Sequence, residues 1–577
     1  MRNSSLALQS IFLLSFFISS PSVFSQDRFT GKSFATRSMV IAQNGMACTS
    51  QPLATIAALD ILKKGGTAVD AAIAANAVLG VTEPAMNGIG GDLFAIVYDA
   101  KTKKIYGLNA SGRSPYSLTL EEFNKQKLNA IPSYGPLAVS VPGCVDGWFE
   151  LHKKFGTIPM AQLLAAAIGY ARNGFPIHNE PAFNLKGLEY RLITNPSINF
   201  DATNTRQLYL NSGKALAEGD VFKNPQLAMT LEKIAKGGRD AFYKGDIAET
   251  IENFMKKVGG FLTYKDFADH NSEWVEPEST TYRGFKVWEL PPNGQGITVL
   301  QMLNILENFD FSNIPFGSAQ HLHLLTEATK LAYEDRAKFY ADPAFVKMPV
   351  KELISKAYAK ERSKLVKPGN SSPDFMSGDS LLKNGETTYL TIADQFGNMV
   401  SLIQSNYSAF GSRLVPDGLG FVLQNRGSSF NLRPGENNTY APHKRPFHTI
   451  IPAFVTKGDQ PYMSFGVMGG SFQPQGHVQV LMNIIDFGMN IQEAGDAPRI
   501  YVEGTSQPDG TKKSTEVIFL EAGFPHQTIL DLMNMGHLDL RHGQGGMGGY
   551  QGIRFEPVKK VYYGASDARK DGMAAGY

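Results

Sequence analysis

Cysteine is scarce in this 577-residue chain, which has only Cys48 and Cys144. Two cysteines in so long a chain cannot form the disulfide framework of a small secreted domain, although they could pair in an oxidising compartment. Both lie among apolar neighbours, and neither is flanked by the basic cluster that marks a reactive thiolate. We therefore expect two buried, inert thiols.

An excess of charge of either sign is also missing. Lys and Arg number 55 against 53 Asp and Glu, so the formal net charge is +2. This balance gives no reason to expect a nucleic acid or an anionic membrane surface as a partner. With 43% apolar and 19% charged residues, the composition is that of a globular chain, long enough for two lobes or one large fused unit.

Long apolar runs are absent after residue 25, where no segment reaches the ~20 apolar residues that a membrane helix needs. Before that point, Arg2 is the only charge, residues 11–18 are mostly apolar, and Ser25 offers a small residue for cleavage. This pattern predicts a secretory signal peptide over residues 1–25, with an uncleaved N-terminal anchor as the alternative. We expect an exported protein, periplasmic or extracellular.

Metal-ligand and nucleotide-binding patterns are lacking as well. Among 11 histidines there is no His-Glu-x-x-His. His443 and His448 are five residues apart across a proline, which is not a helical ligand spacing. The glycines at residues 88–91 follow a predicted helix and precede a strand, the reverse of the dinucleotide-binding order. The sequence therefore predicts no metal and no cofactor, and it disfavours a metallohydrolase.

Two helices are predicted after residue 50. Ser50 can cap the first, Pro52 is tolerated in its opening turn, and the glycines at residues 65–66 end it. Thr67 and Asp70 form a capping box for the second, which is apolar nearly all round and should be buried.

The chain changes character along its length. Helical patterns dominate residues 144–362, whereas residues 365–386 are polar and turn-rich and predict a mobile segment. Strands follow, including a hairpin over residues 389–394 and 399–404 and a strand over residues 419–423. Mixed helices and strands favour an α+β fold of stacked antiparallel sheets covered by helices.

Thr387 lies where the polar segment meets the first of these strands. If the Glu386–Thr387 bond were cut, Thr387 would carry a free α-amine beside its own hydroxyl. That amine can act as general base, directly or through water, so one residue supplies both base and nucleophile. Spacing alone does not separate this role from ordinary β-propensity at a strand start.

Residues 39–577 resemble the gamma-glutamyltranspeptidase family in several motifs that occur in the family's order. They are Gly-Gly-Thr-Ala-Val-Asp-Ala-Ala at 65–72, Val-Pro-Gly at 141–143, Leu-Pro-Pro at 290–292, Tyr-Glu-Asp-Arg at 333–336, Tyr-Gly-Ala-Ser-Asp at 563–567 and the terminal Ala-Gly-Tyr. The resemblance implies a proenzyme cut before Thr387 into a large, mostly helical subunit (26–386) and a small catalytic subunit (387–577). It also implies the four-layer αββα sandwich of N-terminal nucleophile hydrolases.

The resemblance also implies roles for individual residues. Gly469 and Gly470 match the oxyanion-hole pair, whose N–H groups can approach an oxyanion without a Cβ in the way. Ser405 matches a hydroxyl residue that hydrogen-bonds the nucleophile. Arg113 matches the arginine that binds the substrate's α-carboxylate, a task suited to a planar guanidinium, with a structural arginine as the alternative.

The substrate-binding positions depart from the family's typical pattern. Arg426 and Ser429 stand where an amide or acid and an aspartate bind the substrate's α-amino group. Tyr407 lies near an expected asparagine, and His448 and Thr449 replace a Ser-Ser pair. The segment 434–444 is also short, which implies that the family's lid loop over the site is missing. Losing a carboxylate and gaining a cation weakens ammonium recognition. These features resemble the branch that contains cephalosporin (glutaryl) acylases.

The sequence thus predicts an amidohydrolase or acyltransferase that acts on gamma-glutamyl amides such as glutathione through a Thr387 acyl-enzyme. Water, or the amine of an amino acid or peptide, would accept the acyl group. A glutaryl or cephalosporin-type acylase of the same fold is the alternative, and a non-catalytic exported binding protein is a third interpretation. The expected partners are the small-molecule substrate and the two subunits of one precursor.

Overall fold

Two seven-stranded sheets form the centre of the protein. The computed structural model describes residues 34–194, 200–372, 386–510, 516–543 and 546–577. The predicted signal peptide and residues 373–385 of the predicted mobile segment lie outside these ranges. In the part of the chain that is described, no helix is both long and apolar enough to cross a membrane.

The first sheet carries Thr387 on an interior strand, and all of its strand pairs are antiparallel. In spatial order the strands are Met573–Gly576, Met46–Thr49, Glu386–Ala393, Met399–Tyr407, Asp92–Asp99, Lys104–Ala110 and Glu273–Val275. The predicted hairpin is confirmed, since its two strands lie side by side in the middle of this sheet.

The second sheet is also antiparallel throughout. Its strands, in spatial order, are Val40–Ala42, Val561–Ser566, Tyr550–Glu556, Gln460–Val467, Ala453–Lys457, Phe285–Glu289 and Glu278–Tyr282. The interior strand Gln460–Val467 leads directly into the Gly469–Gly470 turn.

One apolar core lies between the sheets and another lies on the outer face of each. Side chains of strand Asp92–Asp99 alternate between two of them, as the two-residue period of a strand requires. Phe94 and Ile96 join Phe454 and Ile553 of the second sheet in the central core. Leu93, Ala95 and Val97 join the core on the other face of the first sheet.

Helices supply the rest of both outer cores. Those packed with the first sheet are Pro52–Lys63, Ala68–Thr82, Cys144–Phe155, Met160–Leu163, Ala165–Asn173, Asn179–Glu189, Thr203–Tyr209, Pro225–Gly237, Arg239–Tyr243, Asp246–Lys257 and Tyr264–Ala268. Those packed with the second are Gly296–Leu306, Ala319–Phe339, Val350–Leu353, Lys356–Ser363, Gln473–Ile485, Ile491–Asp496 and His526–Asn534.

Local sequence patterns predicted the early helices well, with one exception. The capping box of Thr67 and Asp70 is confirmed at the start of the second helix. The first helix is capped by Gln51 rather than Ser50, because the Gln51 side chain accepts two N–H groups of the first turn. Ser50 instead donates its hydroxyl to Glu83 at 2.7 Å.

Three further predictions concern a strand, the mobile segment and the two cysteines. The strand predicted over residues 419–423 is wrong: Gly418 and Gly420 adopt φ of 72° and 73°, and the segment is an irregular connection. In the predicted mobile segment, the N–H of Ser371 donates to Met535 O at 2.6 Å, and the mobility of the segment stays a prediction. Cys48 and Cys144 are buried free thiols, as expected.

Candidate active site

Thr387 is the second residue of its strand and is only 1% exposed. Glu386 pairs with Tyr407 on the neighbouring strand, but the next pair is Thr388 with Gln404, so two residues oppose Thr387 alone. Such a bulge redirects side chains. Tyr407 has a φ of 78°, which a non-glycine residue rarely adopts. Backbone strain therefore lies directly opposite the Glu386–Thr387 bond.

The Thr387 hydroxyl lies between a hydrogen-bond acceptor and a donor. Its Oγ1 donates to Ser405 Oγ at 3.4 Å and accepts from Gln473 Nε2 at 3.4 Å. Ser405 Oγ also accepts the N–H of Tyr407 at 2.8 Å. Sequence reasoning missed Gln473; its position as the first residue of a helix, three residues after Gly470, was the available signal.

The Gly469–Gly470 turn requires glycine and is held by buried hydrogen bonds. The two residues have φ of 127° and 57°. A Cβ on Gly469 would lie 3.1 Å from the Cα of Gly548. Gln295 donates to the carbonyl of Gly470 at 2.9 Å and itself accepts from Arg336 at 2.6 Å. The orientation of the turn is thus set from helix Ala319–Phe339.

Arg426 is a fully buried cation beside Ser405. Its guanidinium donates to Ser405 Oγ at 3.2 Å and to Thr449 Oγ1 at 2.8 Å, and it lies 4.2 Å from the ring centre of Tyr407. Within the described residues no carboxylate forms an ion pair with it, and its Nε has no hydrogen-bond partner. Burial lowers the pKa of Arg426 to about 10, so it stays charged at neutral pH. Such a group can bind an anion.

His448 is buried and faces Asp92 rather than Thr387. Its Nδ1 accepts the N–H of Ile450 at 3.4 Å, which leaves Nε2 to donate to Asp92 Oδ2 at 3.0 Å. Burial, together with the nearby cation of Arg426, lowers the pKa of His448 to about 4. The other Asp92 oxygen accepts two backbone N–H groups and Gln424 Nε2. Asp92 therefore offers no open carboxylate to a substrate ammonium group.

Two residues assigned to substrate binding are engaged elsewhere. The Ser429 hydroxyl lies 2.8 and 2.7 Å from two backbone carbonyls, so it stabilises the turn that presents Arg426. Arg113 donates to Glu273 Oε1 at 2.9 Å, and Arg445 binds the same oxygen at 2.7 Å. No hydrogen bond of the described residues connects Arg113 to Thr387 or its neighbours.

A buried acid lies on the other face of the strand. Thr388 Oγ1 donates to Glu83 Oε2 at 3.1 Å and accepts from Asn87 Nδ2 at 2.7 Å, and Ser50 also donates to Glu83. Burial raises the pKa of Glu83 to about 7. Nothing in the local sequence indicated this contact, since Glu83 and Thr388 are 305 residues apart.

The chain as a whole is similar to known proteins of one family. The gamma-glutamyltranspeptidase family model matches residues 54–577. The glutathione hydrolase-like YwrD proenzyme of Bacillus subtilis is 37% identical over 544 residues, 93% of this chain and 99% of the relative. An Acylase ACY 1 proenzyme of a Pseudomonas species is 35% identical over 540 residues, 92% of each chain. The crystal structure of a cephalosporin acylase from Bacillus halodurans matches with a TM-score of 0.86 and 41% identity, over 94% of this chain and 97% of that one.

Proposed function

This chain belongs to the gamma-glutamyltranspeptidase family, and we propose on that basis that it is a self-cleaving amidohydrolase that forms an acyl-enzyme on Thr387. The observation that carries the proposal is the position of the Thr387 hydroxyl. It lies at the end of a central strand, between Ser405 and Gln473, and the strained Tyr407 pairs with the preceding residue, Glu386. Such a constrained hydroxyl suits a nucleophile better than a structural threonine.

Self-cleavage is the first step of the proposed mechanism. Thr387 Oγ attacks the carbonyl carbon of Glu386, the peptide C–N bond breaks, and the nitrogen takes up a proton. The resulting ester between Glu386 and Thr387 Oγ is then hydrolysed by water. The products are a carboxylate at Glu386 and a Thr387 that bears both a hydroxyl and a free amine.

The mature site would then act on amides. The Thr387 amine takes the hydroxyl proton, directly or through water, and Oγ attacks the substrate carbonyl. The N–H groups of Gly469 and Gly470 stabilise the oxyanion, as preorganised backbone donors do in acyl transfer. The leaving amine takes the proton, and the acyl group on Thr387 is transferred to water or to an amine.

Gamma-glutamyl amides such as glutathione are the first candidate substrates, and Arg426 favours a second. A buried guanidinium beside Ser405 matches an acyl chain that ends in a carboxylate. Asp92 and Ser429 are already engaged, so neither favours binding of an α-ammonium group. Glutaryl amides, which carry the carboxylate without the amine, are therefore the second candidate.

The acyl preference is tested with two anilides that differ only in the α-amine. We would compare kcat/KM for γ-glutamyl and glutaryl p-nitroanilide with the mature protein. A higher value for the glutaryl compound supports the acylase candidate. A tenfold or greater preference for the γ-glutamyl compound overturns it and leaves gamma-glutamyl hydrolysis or transfer.

Processing is tested separately. The wild-type protein should give two bands on a denaturing gel, and N-terminal sequencing of the smaller fragment should begin at Thr387. Thr387→Ala should remain full-length and inactive. A wild-type protein that stays full-length supports a binding protein instead, and a Thr387→Ala variant that is still processed and active contradicts the proposal.

The same proposal covers architecture and location. The three apolar cores support a four-layer αββα sandwich, helices outside and sheets inside. The large subunit would span residues 26–386 and the small subunit residues 387–577.

Export to the periplasm or medium rests on the apolar N-terminal pattern of residues 1–25. Mass spectrometry of the secreted protein tests it.

A further inference from the structure

A second cluster of ionisable side chains lies outside the Thr387 site. His323 and Glu327 are one turn apart on helix Ala319–Phe339, and His537 follows helix His526–Asn534. One ligand atom from each of these three residues lies within 4.8 Å of the others, and all three side chains are buried.

Each imidazole has one nitrogen that points away from the other imidazole, and the hydrogen bond of that nitrogen determines where the ring carries its proton. His323 Nε2 is 2.9 Å from the carbonyl of Lys367, which can only accept. His537 Nδ1 is 2.6 Å from Glu516 Oε1, and the other oxygen of that carboxylate is 2.8 Å from the ammonium of Lys330. Both outward-facing nitrogens, His323 Nε2 and His537 Nδ1, are therefore protonated.

The two inward-facing nitrogens consequently carry lone pairs. His323 Nδ1 and His537 Nε2 are 2.9 Å apart, a distance at which two lone pairs repel unless a cation lies between them. Glu327 Oε2 is buried nearby and, within the described residues, has no hydrogen-bond partner. Among the described residues of the cluster, the carboxylates of Glu327 and Glu516 and the ammonium of Lys330 leave one net negative charge beside the two imidazoles.

We propose that this cluster binds a divalent transition metal ion, with Zn²⁺ the best match, through His323 Nδ1, His537 Nε2 and Glu327 Oε2. Zinc takes imidazole and carboxylate ligands at about 2.0–2.2 Å, and three protein ligands leave a fourth position for water. The contacts of the outer nitrogens with Lys367 O and Glu516 are those that orient metal-binding histidines.

The location suggests that the metal fastens two parts of the chain together. Two residues of the segment 365–372 contact the cluster: the carbonyl of Lys367 lies against His323, and the carbonyl of Ser372 accepts from Lys330 Nζ at 3.0 Å. If cleavage occurs before Thr387, as proposed above, His323 and Glu327 belong to the large fragment and His537 to the small one. The ion would then bridge the two fragments.

Metal binding itself is tested on the purified full chain. After treatment with EDTA, the wild-type protein should take up one Zn²⁺ per chain by elemental analysis. Co²⁺ should give an absorption spectrum typical of nitrogen ligation. His537→Gln should weaken zinc binding by about 100-fold or more, because it removes a ligand, and losing even a residue that only orients a ligand costs about 10–100-fold. His526→Gln, at the exposed start of the neighbouring helix, should bind like the wild type.

Two results would overturn the site: a folded wild-type protein that takes up neither ion, or unchanged zinc binding in His537→Gln. A proton shared between the imidazoles would then explain their contact. If His537→Gln fails to fold, the wild-type titration and Glu327→Gln decide the question, with unchanged affinity in the latter counting against the site.

The bridging role has its own measurement. Zinc should raise the urea concentration at which the two fragments separate, and an equal concentration in zinc and in EDTA overturns the bridge. The uncleaved Thr387→Ala protein should bind zinc as the wild type does. Failure of self-cleavage therefore remains distinguishable from failure of the metal site.

Discussion

At the scale of single residues, Arg426 is held in an environment that costs free energy. An ionised group buried without a counter-charge is destabilising, even when hydroxyls and an aromatic ring offset part of that cost. Ser405, Thr449 and Tyr407 supply these partial contacts. Under the proposed function, a carboxylate on the substrate would supply the counter-charge that the described residues do not provide.

Arg426→Gln should lower kcat/KM for glutaryl p-nitroanilide by about 10- to 100-fold. A hydrogen bond to a charged group contributes roughly 1.5–3 kcal/mol, and the glutamine keeps a donor but loses the charge. Butyryl p-nitroanilide, which has no carboxylate, should change less than about threefold. Equal losses on both substrates would mean that Arg426 acts on the nucleophile rather than on the acyl group. Arg172→Gln, which changes an exposed arginine paired with Glu232, is the matched control and should leave both values unchanged.

Glu83 should make stability depend on pH. Burial raises its pKa from 4.5 to about 7, so the folded protein binds a proton that the unfolded chain releases between these values. The free energy of unfolding should therefore fall as the pH rises from about 4.5 to 7, by up to roughly 3 kcal/mol. Glu83→Gln should remove this dependence.

Thermal unfolding midpoints at pH 5 and pH 8 check this expectation. The midpoint of Glu83→Gln relative to the wild type should be higher at pH 8 than at pH 5. The exposed Glu121→Gln should show no such difference. A parallel shift of the Glu83 variant at both pH values would show that the acid is ionised in the folded state.

At the scale of elements, the start of helix Ala68–Thr82 shows how one carboxylate joins several segments. Asp70 accepts the N–H of Thr67 at 3.0 Å. It also accepts the N–H and the hydroxyl of Thr157, in the connection that follows helix Cys144–Phe155, at 3.0 and 2.7 Å. The capping box was visible in the sequence, whereas the contact with Thr157 was not. The helix end is thus both capped and anchored.

Asp70→Ala should destabilise the protein by about 3 kcal/mol, since it removes several charge-assisted hydrogen bonds of a buried carboxylate. Thr67→Ala should cost about 1 kcal/mol, the usual contribution of a cap. Urea denaturation measures both free energies. Similar losses in the two variants would show that the bonds to Thr157 add little.

At the scale of the whole molecule, the two proposed fragments are interleaved. Strands Glu386–Ala393 and Met399–Tyr407 lie between Met46–Thr49 and Asp92–Asp99 in the first sheet. Cleavage before Thr387 would leave the small fragment, 577 − 386 = 191 residues, hydrogen-bonded on both sides to the large one. Neither part could separate without exposing the central core.

The fragments should therefore co-elute in size-exclusion chromatography after cleavage and separate only in denaturant. The small fragment expressed alone should be insoluble or unfolded by circular dichroism. A small fragment that folds by itself, or fragments that elute apart in native buffer, would contradict the interleaved arrangement.

Much of the fold and part of the candidate site could be predicted from the sequence. The capping box and the hairpin depend on contacts within a few residues, so local patterns record them. Thr387, Ser405 and Gly469 followed from the family resemblance. The strand predicted at residues 419–423 failed because backbone contacts with distant segments override local β-propensity.

The sequence by itself determined which residues have suitable chemistry and which short segments form helices, strands and turns. Only the tertiary structure decided their partners. Gln473 reaches Thr387 across 86 residues, His448 reaches Asp92 across 356, and His323 meets His537 across 214. The physical reason is that such pairs depend on how two sheets and their helices pack, and no pattern of nearby residues encodes that packing.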